Sequence, residues 1–233
     1  MLELFPEGFE EAERGGALEL AAYTDAAGET RLRQAFGSVW TSEVVEGWEE
    51  RWREFHRPVR VGPLWVGPPW AAPPVGAVAV VVDPGRAFGT GAHATTRLCL
   101  ELLLDLPGGS LLDVGCGSGV LAIAAAKVGF EPVRALDVDP AAVEATRRNA
   151  GVNGVSIDVR LADALVEPLP RVECVLANLT LEAVEALAPR LVCARAVLSG
   201  YLTRDRPRLP GFHAVRRLTT EGWAADLLEP GRQ

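Results

Sequence analysis

Leu111-Leu-Asp-Val-Gly-Cys-Gly-Ser-Gly119 is the stretch that decides the fold. A short apolar run enters it, and Val120, Leu121, Ile123 and several alanines leave it at helical spacing. The order is strand, glycine-packed turn, helix N-terminus, the usual seat of a nucleotide-like ligand. Glycine in such a turn allows positive φ and lets a ligand approach the backbone closely. The spacing then narrows the ligand. A dinucleotide fingerprint needs a further glycine or alanine where this chain has Val120.

Downstream, strand and helix patterns alternate. Val133–Val138 reads as a second apolar strand carrying Asp137, about twenty residues after the glycines, where a carboxylate can accept both ribose hydroxyls. Asp139-Pro140 caps and opens the next helix, with proline at its first position. Ile157–Leu161 reads as a third strand, followed by Asp163; Val172–Ala177 reads as a fourth and ends in Asn178-Leu-Thr180. This alternation predicts an α/β fold, a doubly wound parallel sheet with ligands at the carboxyl ends of its strands. Upstream, Val75–Val82 is an apolar strand leading into the glycine-rich loop Asp83–Thr96, with a helix expected from about Ala92. Taken alone, His93 reads as a loop histidine.

Composition bounds the rest. The 233 residues suffice for one α/β domain plus a small partner. With 48% apolar and 23% charged residues the chain is globular, and no apolar run reaches the roughly 20 residues of a membrane span. No basic-then-apolar leader opens the sequence, so a cytoplasmic location is expected. Cys99, Cys116, Cys174 and Cys193 lack metal-ligand spacing and read as buried thiols; no metal is expected. A net charge of −8 disfavours a phosphate-rich partner and suits a basic one. The acidic residues Glu3, Glu7, Glu10, Glu11 and Glu13 form a solvated edge or, on a sharper reading, a docking face for a basic protein. Lys127 is the single lysine, which reads as composition bias.

Residues 1–56 read as a small α/β domain. Ala17–Thr24 alternates like a strand, Ala26–Glu29 is a turn, and Arg31–Trp40 is a second strand. Thr41 or Ser42 caps a helix through about Phe55, with Val44, Trp48, Trp52 and Phe55 on its core face. Residues 57–75, with six prolines and Trp65 and Trp70, read as an ordered, semi-rigid linker. Residues 76–233 follow as the catalytic domain, and no internal repeat is visible.

The glycines at 115, 117 and 119 behind Asp113 resemble motif I of the S-adenosylmethionine (SAM) methyltransferases. The longer pattern Asp83–Thr96, Asp113–Gly119, Asp137-Val-Asp-Pro140 and Ala177-Asn-Leu179 resembles the ribosomal protein L-eleven methyltransferase family (PrmA-type), with Phe88–Thr96 the most specific signature. The likeness extends to Phe5–Glu11, Trp65–Trp70 and Glu221-Gly-Trp223. It implies a seven-stranded, Rossmann-like SAM methyltransferase domain behind a small N-terminal α/β domain. It implies a cofactor site at Phe88, Gly89, Thr90, Thr96, Asp113, Gly115, Cys116, Gly117, Gly119, Asp137, Val138, Asp163 and Asn178. Phe88 would lie over the cofactor, and Asp163 would reach the adenine amino group. Asn178 and Thr96 are the implied catalytic residues, with Thr96 at the far side of the pocket. Departures are a recognition domain that starts almost at Phe5–Glu11, a proline-broken segment between Gly200 and Gly211 where relatives carry a helix, and Thr180 after Asn-Leu.

The implied activity is SAM-dependent N-methylation of lysine or N-terminal amines on a ribosomal protein, by a chain expected to be monomeric. A methyltransferase for a nucleobase or small amine is the first alternative. Asn178-Leu-Thr lacks the prolines and aromatic ring that base-acting enzymes stack on a flipped base, though Arg204, Arg206, Arg208, Arg216 and Arg217 cluster suggestively. The others are a catalytically silent SAM-binding module and an NAD-dependent oxidoreductase. For Asn178 itself, a plain helix N-cap is the competing role.

Overall fold

The computed structural model describes residues 10–14, 17–21, 24, 26–37, 39–41, 57–83 and 91–231. In chain order its elements are β1 (Glu10–Arg14), β2 (Ala17–Ala21), α1 (Ala26–Phe36), β3 (Val59–Val61), β4 (Leu64–Gly67), β5 (Val78–Val81) and α2 (Ala94–Leu103). There follow β6 (Gly109–Val114), α3 (Val120–Lys127), β7 (Phe130–Asp137), α4 (Pro140–Asn153), β8 (Asp158–Leu161), β9 (Val172–Asn178), α5 (Leu181–Leu187), β10 (Cys193–Leu202), β11 (Phe212–Thr220) and β12 (Trp223–Pro230).

Seven strands form one sheet in the order β11-β12-β10-β9-β6-β7-β8. β6, β7, β8, β9 and β10 are mutually parallel, whereas β12 runs antiparallel to both β10 and β11. The chain leaves β6 towards β7 and β8, then returns to the other side of β6 as β9. That reversal makes the carboxyl ends of β6 and β9 the switch point of the sheet, where a crevice must open.

Period-two alternation sends successive side chains to opposite faces. Leu111, Cys174, Leu176 and Val197 join one core with Leu98, Leu102, Leu121 and Ile123 from α2 and α3. Leu112, Val114, Val175, Ala177 and Leu198 join a second core with Val184 and Leu187 of α5. Each wholly buried leucine contributes about 1.5–3 kcal/mol, so both faces hold the sheet. A second sheet, β3-β4-β5, supplies Leu64, Val66 and Val80 to the first core.

The expected strands at 133–138, 157–161 and 172–177 fall within or beside β7, β8 and β9, and Asp139 caps α4 by accepting from the Ala141 N–H. Three expectations need correction. The sheet is not wholly parallel, because β12 enters against β10. Helix α2 starts at Ala94 with His93 as N-cap, not at Ala92. Residues 26–36 are helical, not a turn followed by a strand. The reason is local: Glu29 and Arg33 pair at 2.8 Å one turn apart, with the acid early and the base late in the helix. The expected helix over residues 42–55 lies outside the described residues.

The chain divides into compact units Met1–Arg53 and Glu54–Gln233. Within the first, β1 pairs antiparallel with β2. Residues 59–61 and 64–67 of the proline-rich stretch are strands, and Trp65 is buried. The cysteines are free thiols, three buried and Cys193 half-buried. Among the described residues no helix is long and apolar enough to cross a membrane, and no cluster of ligating side chains suits a metal.

Candidate active site

A cleft of about 500 Å³ opens at the switch point, within the second unit. The turn after β6 supplies Gly115, Cys116 and Gly117, the end of β7 supplies Asp137, Val138 and Asp139, and β8 leads into Asp163. Thr96 of α2 and Asn178 at the end of β9 complete its polar wall. Leu136, Ala142, Ala162, Leu165 and Leu179 make it largely apolar.

The turn is held in shape before any ligand arrives. Gly117 N–H donates to Asp137 Oδ2 at 2.9 Å, and Asp137 Oδ1 accepts from Asp139 N–H at 3.0 Å. Each carboxylate oxygen keeps capacity for a second donor. Gly115 sits at φ 71°, and a Cβ there would overlap Leu179 Cδ2. Only glycine lets the turn lie against the β9–α5 connection. Asp163 Oδ1 accepts from Leu165 N–H at 2.8 Å, fixing the turn after β8.

Asn178 Nδ2 donates to Thr95 Oγ1 at 3.0 Å and approaches Thr96 Oγ1 at 3.5 Å. Thr96 therefore shares a wall with Asn178 and does not face it from the far side. The cap of α5 is Thr180, whose hydroxyl accepts from Ala183 N–H at 3.4 Å. Asn178 is thus released from a capping role.

Two of the expected cofactor residues stand elsewhere. Asp113 is 1% exposed and points into the core under the turn, where its Oδ2 accepts from Ala122 N–H at 3.1 Å. Burial raises its carboxyl to about 7. Gly119 is the N-cap of α3 and does not line the cleft. Burial likewise pushes the Cys116 thiol up to about 12, so this lining residue is a neutral thiol. Phe88, Gly89 and Thr90 lie outside the described residues. The apolar wall and Thr95 went unread in the sequence. Alternation along strands gives the apolar residues no distinguishing mark, while the doubled threonine of the signature was a signal that Thr95 belonged to the site.

Three aspartates and no lysine or arginine line the cleft among the described residues. An anionic pyrophosphate would meet repulsion here, whereas an uncharged nucleoside or a cation would not.

The sequence pattern of the ribosomal protein L11 methyltransferase (PrmA) family matches residues 15–223. The chain belongs to that family. A family relative from Symbiobacterium thermophilum, called ribosomal protein L11 methyltransferase, is 40% identical over 197 residues, 79% of this chain and 61% of the relative. One of the same description from Methylococcus capsulatus is 40% identical over 232 residues, covering 91% of this chain and 77% of that protein. The chain thus spans less than two thirds of several relatives of the PrmA family. The crystal structure of a ribosomal protein L11 methylase from Lactobacillus delbrueckii subsp. bulgaricus superposes with a TM-score of 0.70 at 25% identity, over 76% of this chain and all of that one. Its likeness agrees with the mixed seven-stranded sheet found here.

The residues present fit the sulfonium cofactor that such a family implies. The cleft is of nucleoside-plus-amino-acid size, it carries carboxylates at the ends of β7 and β8, and among the described residues it offers no cationic side chain for a phosphate.

Proposed function

We propose that this protein is a SAM-dependent protein N-methyltransferase that modifies lysine or N-terminal amino groups of the large-subunit ribosomal protein L11, in the cytoplasm. The observation that carries the reading is a cleft lined, among the described residues, by three aspartates and no lysine or arginine, with an oriented amide at its β9 wall. The names of the relatives support the target, and the net charge of −8 suits a basic partner. When bound, the cofactor supplies an electrophilic methyl on a positively charged sulfur.

Asp137 would hold the ribose hydroxyls, Asp163 the adenine amino group, and the Gly115–Gly117 turn the remainder. The chain's task is then alignment. An amine lone pair must point along the methyl–sulfur axis, and such alignment can supply several kcal/mol. The amine nitrogen would accept the methyl that the bound cofactor supplies and then release a proton to water. A lysine must first be neutral. With an unperturbed pKa near 10.4, that costs about 4.6 kcal/mol at pH 7.

Asn178 suits this step better than a carboxylate would. Its oxygen accepts an amine N–H and aims the lone pair without adding a negative charge that would favour the ammonium. Three of the five clustered arginines are tied to neighbouring groups. Arg216 pairs with Asp105, Arg217 with Asp226 at 3.1 Å, and Arg206 donates to the carbonyls of Thr203 and Asp205. This supports a protein target over a nucleic acid.

The test is tritiated methyl transfer into purified protein L11 and into a lysate with and without ribosomes. Label in L11 is expected; label in nucleic acid or only in small molecules would overturn the reading. Asn178→Ala should lower turnover by ten-fold or more and leave S-adenosylhomocysteine binding within about two-fold, as loss of one oriented acceptor predicts. Equal loss of both would remove Asn178 from the chemistry.

A further inference from the structure

The signature histidine His93 and the Glu221-Gly-Trp223 turn are not used by the chemistry above, yet they converge on it. His93 Nδ1 accepts from Thr95 N–H at 3.4 Å and lies 2.8 Å from Thr95 Oγ1. A ring nitrogen that accepts carries no proton, so the Thr95 hydroxyl donates to it. Thr95 Oγ1 then has only lone pairs left for Asn178, and the side chain at 3.0 Å must present its NH₂. The Asn178 oxygen is thereby turned away from the threonines. Thr95 is buried and Asn178 half-buried, so the middle link is sheltered from water.

The outer end is clamped by the β11–β12 turn. The Trp223 ring meets His93 edge-on, centroids 5.0 Å apart, and Glu221 pairs with Arg97 at 2.5 Å, one turn further along α2. A loop about 130 residues away in sequence thus holds the imidazole that fixes the hydroxyl that fixes the amide.

We infer that His93 and Thr95 are positioning residues, a one-directional hydrogen-bond relay that sets which way the Asn178 amide faces and so presents its oxygen to the amine. The inference rests on the function proposed for Asn178. A merely structural role is available, since His93 is also the N-cap of α2. The two roles separate cleanly, because the cap uses the Thr95 backbone N–H and the relay uses its hydroxyl.

Thr95→Val keeps shape and cap and removes the hydroxyl. It should lower kcat about ten-fold, the order of one neutral hydrogen bond, with KM for the protein substrate and affinity for S-adenosylhomocysteine unchanged. Thr95→Ser restores the hydroxyl and should recover most of kcat. In an Asn178→Ala background Thr95→Val should cost nothing more, because the group it orients is gone. Additive losses, or a fall in binding equal to that in kcat, would overturn the relay while leaving the function of Asn178 standing. Full activity of Asn178→Ala would instead overturn the reading beneath it. The Asn178 side-chain amide, assigned in ¹⁵N spectra by its disappearance in Asn178→Ala, gives a measure free of any substrate. Its protons should exchange faster in Thr95→Val than in Thr95→Ser, and an unchanged rate overturns the relay.

Discussion

At the residue scale, the most exacting position is Asp113. Its Oδ1 is buried with no hydrogen-bond partner and its Oδ2 meets one N–H, so desolvation outweighs that bond and lifts the carboxyl to about 7. The folded state therefore holds a proton that the unfolded chain has already lost above pH 4. Stability from this group is full below about pH 4 and falls as the pH rises towards 7, by roughly 4 kcal/mol in all. Asp113→Asn should flatten that slope. Urea melts at pH 5, 6 and 7 would show wild type losing about 2–3 kcal/mol relative to the variant; parallel profiles would contradict a buried, protonatable Asp113. The same residue shows how far the sequence could be read. The motif placed Asp113 beside the glycines but not on a face. Counting by twos from Leu111, which is buried, puts it in the core. Asn178 ends β9, where the strand pattern placed it, and only the hydroxyl of Thr180 reveals that the cap of α5 belongs elsewhere.

At the element scale, the β9–α5 connection is where function and packing share atoms. Gly200, in β10, sits at φ 102°, and a Cβ there would overlap the Leu179 carbonyl. Leu179 N–H in turn donates to Ser199 O at 3.0 Å. The residue after Asn178 is therefore wedged against β10 by backbone on both sides, and the irregular register between Ser199 and Tyr201 makes room for it. Gly200→Ala should destabilise the protein by about 2–4 kcal/mol, through left-handed strain plus a backbone clash, and displace Asn178 with it. Thermal melting and S-adenosylhomocysteine titration check this; an unshifted midpoint would mean β10 can relax. The parallel strands were legible because continuous apolar runs and flanking turns mark buried strands. Helix α1 was not. Most of its apolar residues are alanines, so no stripe stands out, and the Glu29–Arg33 pair that supports it is a spacing signal of a different kind.

At the scale of the whole second unit, the question is what joins the β3-β4-β5 sheet to the seven-stranded one, since among the described residues no backbone ladder links them. Apolar contact is part of the answer, through Leu64, Val66 and Val80 in the first core. The more specific tie is a pair of asparagines on α4. Asn153 Oδ1 accepts from Val81 N–H at 2.9 Å while its Nδ2 donates to Val81 O at 2.6 Å, as a neighbouring strand would. Asn149 Oδ1 accepts from Asp83 N–H at 3.3 Å, and its Nδ2 donates to Ser118 O at 2.8 Å in the glycine turn. One helix thus grips the end of β5 and the turn that lines the cleft. Sequence periodicity could not show this, because an asparagine on a helix reads as polar surface until the strand it mimics is known. Asn153→Ala leaves the Val81 N–H and carbonyl unpaired in a partly buried setting, at a cost of about 2 kcal/mol. Hydrogen exchange at Val81 should then quicken ahead of Leu112 and Val175 in the main sheet, because the clamp and not the ladder was holding it. If Val81 instead stays as protected as in wild type, the apolar core alone joins the two sheets and the asparagines are incidental.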